Sequence, residues 1–277
     1  MTHIMSAAAN LPANPGLPET ARADLARAVA QLEDVSLAAR LAAAVGAPVE
    51  ALKARLPGAV QGLLDGAVRR ALSAAMDAAL KSDPARSTGA LPSAWFHRGL
   101  AAATGAAGGA LGLPGTLMEL PVSTTLLLRQ IAAVAAENGE DLADPAIAAE
   151  CLKVFALGGR DARDDATESG YFTVRLALAE ALKGAVGQGL AGAVLPGFLG
   201  AIAARFGGPV ALKISAQAAP LIGAAAGAAV NLAFLEHFRS VAEGHFAVRR
   251  LERIHGTARV QAAYAAIQAT RDARFLG

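Results

Sequence analysis

Twenty-two consecutive residues near the C-terminus, Ile214 to Leu235, carry no charge: ISAQAAPLIGAAAGAAVNLAFL. The chain that follows, Glu236 to Gly256, is studded with Arg, His and Glu. An uncharged Gly/Ala-rich segment running into a basic amphipathic helix belongs either in a tightly packed helical core or against a membrane. Two further uncharged stretches exist, Gly99 to Met118 and Gly184 to Ala204, of 20 and 21 residues. A membrane-spanning helix needs ~20 predominantly apolar residues, so length is sufficient in all three. Ala and Gly dominate them, however, and Pro114, Pro196 and Pro220 interrupt them. Packed or interfacial helical hairpins are the expectation, with spanning helices left open as the alternative.

Hydrophobic residues make up 54% of the 277 and aromatics only 4%, so the apolar content is carried mostly by small aliphatic side chains. Ala is the strongest intrinsic helix former, and Gly lets helix backbones approach closely. Gly105/Gly109 and Gly223/Gly227 have the spacing for such contacts. No segment alternates with period two, which leaves strands without candidates. The expected fold is all-α: a single multi-helix domain over residues 19–277, of roughly nine to twelve helices, with the Gly/Ala-rich apolar hairpins packed centrally. Residues 1–18, which carry three prolines and no continuous apolar core, are expected to form a disordered leader and not a secretory signal.

Local signals place the helices. Leu25, Val29 and Leu32 share one face of a helix expected from about Glu19 to Val45. Val60, Leu64, Val68 and Leu72 recur every four residues in a second. Asn138-Gly139 has the form of a C-terminal cap, and Asp144-Pro145 that of an N-cap followed by Pro at the first helical position. Ile147, Cys151 and Phe155 then line one face, and Gly158-Gly159 closes the helix. Another helix begins near Gly170.

The net charge of +2 gives no basis for nucleic-acid binding. Charge is nevertheless uneven. Glu140 to Glu168 holds eight acids and three bases, a balance of −5, whereas Gly207 to Gly277 holds eight bases and four acids, +4. A basic C-terminal face beside apolar hairpins fits attraction to an anionic lipid surface, and equally fits a solvated helix face. The single cysteine, Cys151, excludes an internal disulfide and is compatible with a reducing cytoplasm.

Gly108 to Leu142, GGALGLPGTLMELPVSTTLLLRQIAAVAAENGEDL, combines a glycine-rich turn, an acid and a Thr/Leu-rich helix ending in Arg. Glu168 to Arg175 reads ESGYFTVR. With Pro220-Leu-Ile-Gly223, Asn231, His245-Phe246 and Arg249-Arg250-Leu251-Glu252, these elements resemble the EcsC family from about Ala90 to Tyr264. Glu119 is displaced from the family's acid after the turn, and Asn138-Gly139 stands where an aromatic-Gly is usual. The family takes its name from a protein encoded beside an ABC transporter. The resemblance implies a non-enzymatic accessory protein at the cytoplasmic side of a bacterial cell membrane, bound peripherally to lipid or to a membrane protein, with homo-oligomers allowed. It supplies no catalytic residues.

Candidate chemistry is sparse. Glu119, Arg129, Arg175, Asn231, His245 and Arg249 are the polar groups that the pattern sets among apolar ones, and form a candidate polar groove. His245, Arg249 and Glu252 follow i, i+4, i+7 and so share a helix face, the arrangement of a network joining helices. His237 and His245 are eight apart, too far for two ligands of one zinc ion on a straight helix. Asp161, Asp164, Asp165 and Glu168 lack the glycine and spacing of a calcium loop. No catalytic set, cofactor fingerprint or metal site is expected. The alternative function is a carrier or hydrolase-like enzyme with a groove for a hydrophobic ligand, a lipid or a peptide.

Overall fold

The computed structural model describes residues 16–33, 37–45, 120–159, 170–186 and 224–275, with shorter helical pieces between 66 and 74, at 99, at 102–103 and between 200 and 213. Every regular element among the described residues is helical, so the protein is an all-α, multi-helix domain. The helices are α1 (Glu19–Glu33), α2 (Leu37–Val45), α3 (120–137), α4 (Pro145–Leu157), α5 (Tyr171–Val186), α6 (Ala224–His255) and α7 (Thr257–Phe275). The helix expected from Glu19 to Val45 is thus two elements on either side of 34–36. Gly16 to Pro18 are described, and Leu17 packs against the core.

Helix α6 organises the rest. Its 32 residues span about 48 Å at 1.5 Å per residue. It packs against α1, α2, α4 and α7, while α1 also meets α7 and α4 meets α5. The second half of one uncharged stretch thereby finds its place. Ala224 to Leu235 is the N-terminal third of α6, continuous with the charged segment after it. Most of the other two stretches, with Gly105, Gly109 and Gly223, lies outside the described residues.

Spanning helices, left open by the sequence, are corrected by the structure: no helix among the described residues is long and apolar enough to cross a membrane. In α6 the reason is visible. The apolar third passes without interruption into a segment bearing Glu236, Arg239, Glu243, Arg249, Arg250, Glu252 and Arg253.

Caps set the ends that matter for the site. Helix α3 closes in a Schellman motif: Gly139 N–H donates to Ala136 O at 2.9 Å and Glu140 N–H to Ala135 O at 3.1 Å. Gly139 takes φ +77°, where a side chain is disfavoured. Asp144 then caps α4 by accepting from Ala146 N–H at 2.8 Å, with Pro145 at the first turn. The seven residues between α3 and α4, 138–144, which include Glu140, are therefore pinned at both ends.

Helix α4 is buried on nearly every side, including Ile147, Cys151 and Phe155. Its C-terminal end enters an aromatic cluster. Phe155 lies with ring centroids 4.8 Å from Phe206 and 5.7 Å from Phe238, and Phe234 stands 4.9 Å from Phe238. Few aromatics are available, and four of them meet here.

The close approach of α1 to α6 occurs at Gly244. A Cβ there would meet Leu32 Cγ at 2.8 Å, the Ala28 carbonyl oxygen at 3.0 Å and Gln31 Cβ at 3.2 Å. The contact with backbone cannot be relieved by a rotamer change. Gly244→Ala should therefore lose about 1–3 kcal/mol, the usual range for overpacking. Urea denaturation checks this: an unchanged midpoint would show that α1 and α6 separate without strain.

Candidate functional site

Seven charged side chains from α4, α5, α6 and the α3–α4 connection meet where α6 crosses α4. Arg249 on α6 donates through Nε to Glu140 Oε1 at 2.8 Å and through Nη2 to Glu140 Oε2 at 3.3 Å, a two-pronged pair. Its Nη1 lies 3.4 Å from Glu150 Oε1 on α4. Arg253, one turn on, also donates to Glu140 and to the Asn138 carbonyl, the latter at 2.6 Å. Lys153 donates to Glu150 Oε1 at 2.7 Å. On the far side, Arg175 of α5 donates to Glu252 Oε2 at 2.7 Å.

His245 occupies the centre and has no solvent exposure. Its Nδ1 is 2.8 Å from the Tyr171 hydroxyl, and its Nε2 is 3.2 Å from Glu150 Oε2. An ionised carboxylate only accepts, so Nε2 carries the ring proton and donates to Glu150. Nδ1 is then the acceptor for Tyr171 O–H. One imidazole thus ties α4, α5 and α6 together. Tyr171 stacks on Tyr264 of α7 at 5.6 Å, and the Tyr264 hydroxyl donates to Glu33 of α1 at 2.5 Å.

Electrostatics follow from this geometry. Burial alone would raise the Glu150 carboxyl, but His245, Lys153 and Arg249 outweigh it and hold Glu150 well below the usual carboxylate range. Burial likewise opposes ionisation of Glu140, and Arg249 and Arg253 more than offset it. Burial lowers His245, and the nearby Arg175 and Arg249 add to that; Glu150 pulls the other way without restoring the ordinary value. The pair therefore stands as ionised Glu150 and neutral His245. Burial pushes the Tyr171 phenol upward, so it acts as a neutral hydrogen-bonding group. It also pushes the Cys151 thiol up to about 12, an inert thiol.

A second buried histidine, His237, donates from Nε2 to the Gly158 carbonyl at 2.8 Å, closing the C-terminal end of α4 against α6. Burial lowers it to about 4. A third polar group lies farther along the interior. Lys213 is fully buried, its Nζ 3.3 Å from Ser123 Oγ and 5.3 Å from the Phe234 ring centre.

Of the six residues that the sequence places in a polar groove, the structure gathers three: Arg175, His245 and Arg249. Asn231 is buried on the same helix, but 14 residues before His245, about 21 Å along the axis. Arg129 is exposed on α3 and takes no part in the cluster. Glu119 lies outside the described residues, as do Asp161, Asp164, Asp165 and Glu168. No group of three or more metal-ligating side chains occurs among the described residues.

Sequence reasoning missed Glu140, Glu150 and Tyr171. A signal was present. The acidic segment from Glu140 and the basic segment from Gly207 are electrostatic complements, and their charges meet here. The basic C-terminal face consequently has partners inside the fold: Arg249 and Arg253 on Glu140, Arg250 on Asp24 at 3.1 Å, and Arg239 on Glu243 at 2.8 Å.

The chain matches the EcsC protein family over residues 20–251, a span that holds α1 to α5, most of α6 and the whole Glu150–His245–Tyr171 line. The chain belongs to the EcsC family. Comparison with curated proteins and with solved structures finds no match. Within the EcsC span lie Glu140, Glu150, Arg175 and Arg249, whereas Glu252, Arg253 and Tyr264 fall just beyond it.

Two outcomes follow from the site. Arg249→Ala removes the cation that Glu140 and Glu150 share, leaving Glu140 with Arg253 and Glu150 with Lys153 and His245, and should lower stability by about 1.5–3 kcal/mol, the range for hydrogen bonds to charged groups. A urea midpoint within error of the parent would place these charges in solvent instead.

Acid should also destabilise the fold in a defined window. His237 and His245 are held neutral with lowered pKa values, so the unfolded chain binds more protons than the folded one between the ordinary histidine value and the folded values. Stability is complete above about pH 6.5 and falls as pH drops toward 4, by ~3 kcal/mol for His237 alone. The carboxyls of Glu140 and Glu150 add a further loss below their ordinary value of 4.5. Urea midpoints measured from pH 8 to pH 4 test this. A flat profile between pH 6.5 and pH 5 would contradict it.

Proposed function

We propose that this EcsC protein is a non-enzymatic accessory protein that works by binding, docking peripherally on a lipid surface or on a membrane-embedded transporter component. The observation that carries this proposal is the end of α6. Ile254 is 64% exposed there, immediately after the partly exposed Arg250 and Arg253 and before His255. An apolar side chain projecting among bases is what an interfacial helix presents to a headgroup layer. Leu176 on α5 is a second large apolar residue held outward.

The non-enzymatic part of the proposal is supported by where the reactive groups lie. His245, Tyr171 and Cys151 are all buried, and the two that hydrogen-bond do so across helix contacts. Such a network fixes helix positions. One observation favours the alternative, a carrier or hydrolase-like enzyme with a groove for a lipid or peptide. Lys213, Ser123 and Asn231 are polar groups inside an otherwise apolar interior, the kind of handles such a groove requires.

Vesicle co-sedimentation tests the proposal. Binding to anionic vesicles is expected to exceed binding to neutral ones and to weaken as salt rises. Ile254→Glu should reduce it about tenfold, since full burial of an isoleucine is worth ~1.5–3 kcal/mol. Equal recovery in the supernatant with anionic, neutral or no vesicles would overturn the lipid reading. A hydrophobic ligand retained through purification, and lost in Ser123→Val, would favour the groove.

A further inference from the structure

We infer that the Tyr171–His245–Glu150 line is an acid-sensitive latch that holds α5 against the body of the protein. Three features of the geometry carry this. The imidazole has no exposure, and both of its nitrogens are committed, one to an acceptor on α4 and one to a donor on α5. A second ring proton would sit on Nδ1, where Tyr171 O–H now points, so the existing bond cannot be kept as it is. The surrounding groups do not welcome another charge.

Those groups can be named element by element. From α4 come Glu150 and Lys153, joined to each other at 2.7 Å. From α5 come Tyr171 and Arg175, the guanidinium lying 5.9 Å from the centre of the Tyr171 ring. From α6 come Arg249, bound to Glu140 of the connection before α4, and Glu252, bound to Arg175. From α7 comes Tyr264, stacked on Tyr171. Counting Arg253, which shares Glu140, the cluster holds four cations and three carboxylates, Glu140, Glu150 and Glu252. Protonating His245 adds a fifth cation without solvent to screen it.

A proton that the closed packing disfavours is accepted more readily when α5 moves away and water reaches the ring. By linkage, acid then raises the population of the opened state, about tenfold per pH unit below the ordinary histidine value until the closed-state value is reached. What opens is apolar: Tyr171, Val174 and Leu178 leave the core, beside Leu176, which is already exposed. Helix α5 is suited to such motion because its close backbone packing is against α4, whereas α6 and α7 hold it through the side chains of Tyr171 and Arg175; α6 packs closely on four helices.

Hydrogen exchange followed by mass spectrometry on the full chain tests the latch. After correction for intrinsic exchange rates, peptides covering 171–180 should lose protection about fivefold between pH 6.5 and pH 5.5, while staying less protected than peptides from 19–33 at both pH values, the mark of a local opening. Tyr171→Phe removes the donor and keeps the ring, so it should weaken protection of the same segment at every pH. His245→Gln keeps a neutral donor in place of the imidazole and should abolish the pH dependence. If that variant does not fold, the parent's segment-by-segment profile decides alone. Protection of 171–180 that is flat with pH, or that equals that of 19–33 at every pH, would overturn the latch, as would an unaltered pH profile of 171–180 in a folded His245→Gln.

Discussion

Arg249 is the side chain on which the arrangement of helices most depends. It holds Glu140 with two prongs and lies within reach of Glu150, so one guanidinium joins α6 both to the connection before α4 and to α4 itself. Glu140 in turn is fixed by the Schellman cap of α3 and by the Asp144 cap of α4. A buried arginine with one acid would be a doubtful asset, since desolvation offsets much of the attraction. With two acids, a lysine and a second arginine around it, each charge has a partner, and the network fixes register where an Ala/Gly-rich interior offers little shape to do so.

That last point matters for a chain of this composition. Large interlocking side chains usually specify one packing among many. Here aromatics are few, and they are concentrated at Phe155, Phe206, Phe234 and Phe238 and around Tyr171 and Tyr264. The polar line from Arg253 through Glu140, Arg249, Glu150 and His245 to Tyr171 runs between the α4–α6 contact and the tyrosines. It supplies directional bonds where packing is least selective. The same burial that makes it selective also makes it sensitive to protons, because His245 and His237 are neutral only while the core stays dry.

The charge balance takes on a different meaning in three dimensions. Along the chain, the basic C-terminal region looks like a surface available to anions. In the fold, Arg249, Arg250 and Arg253 face Glu140, Glu150 and Asp24, residues 99 or more positions away. What remains outward is a mixture of half-exposed bases and the apolar Ile254. Attraction to a lipid surface would therefore rest on insertion of apolar groups as much as on net charge.

Local signals determined the helical class and several helix ends. Leu25, Val29 and Leu32 are buried as their spacing requires, Asn138-Gly139 ends α3, and Asp144-Pro145 starts α4, because caps and faces depend on neighbours within one turn. The shared face of His245, Arg249 and Glu252 was equally legible, being a matter of helical pitch. Their partners were not. Glu140, Glu150 and Tyr171 are brought to α6 by the crossing of helices, which depends on Gly244 fitting against α1 and on α4 being buried on nearly all sides. Arg129 shows the converse: polar and adjacent to an apolar run, yet turned outward. The sequence by itself determined which residues could share a face; only tertiary structure decided which faces met, because pairing across 74 to 109 positions is set by the summed packing of helices and not by any local pattern.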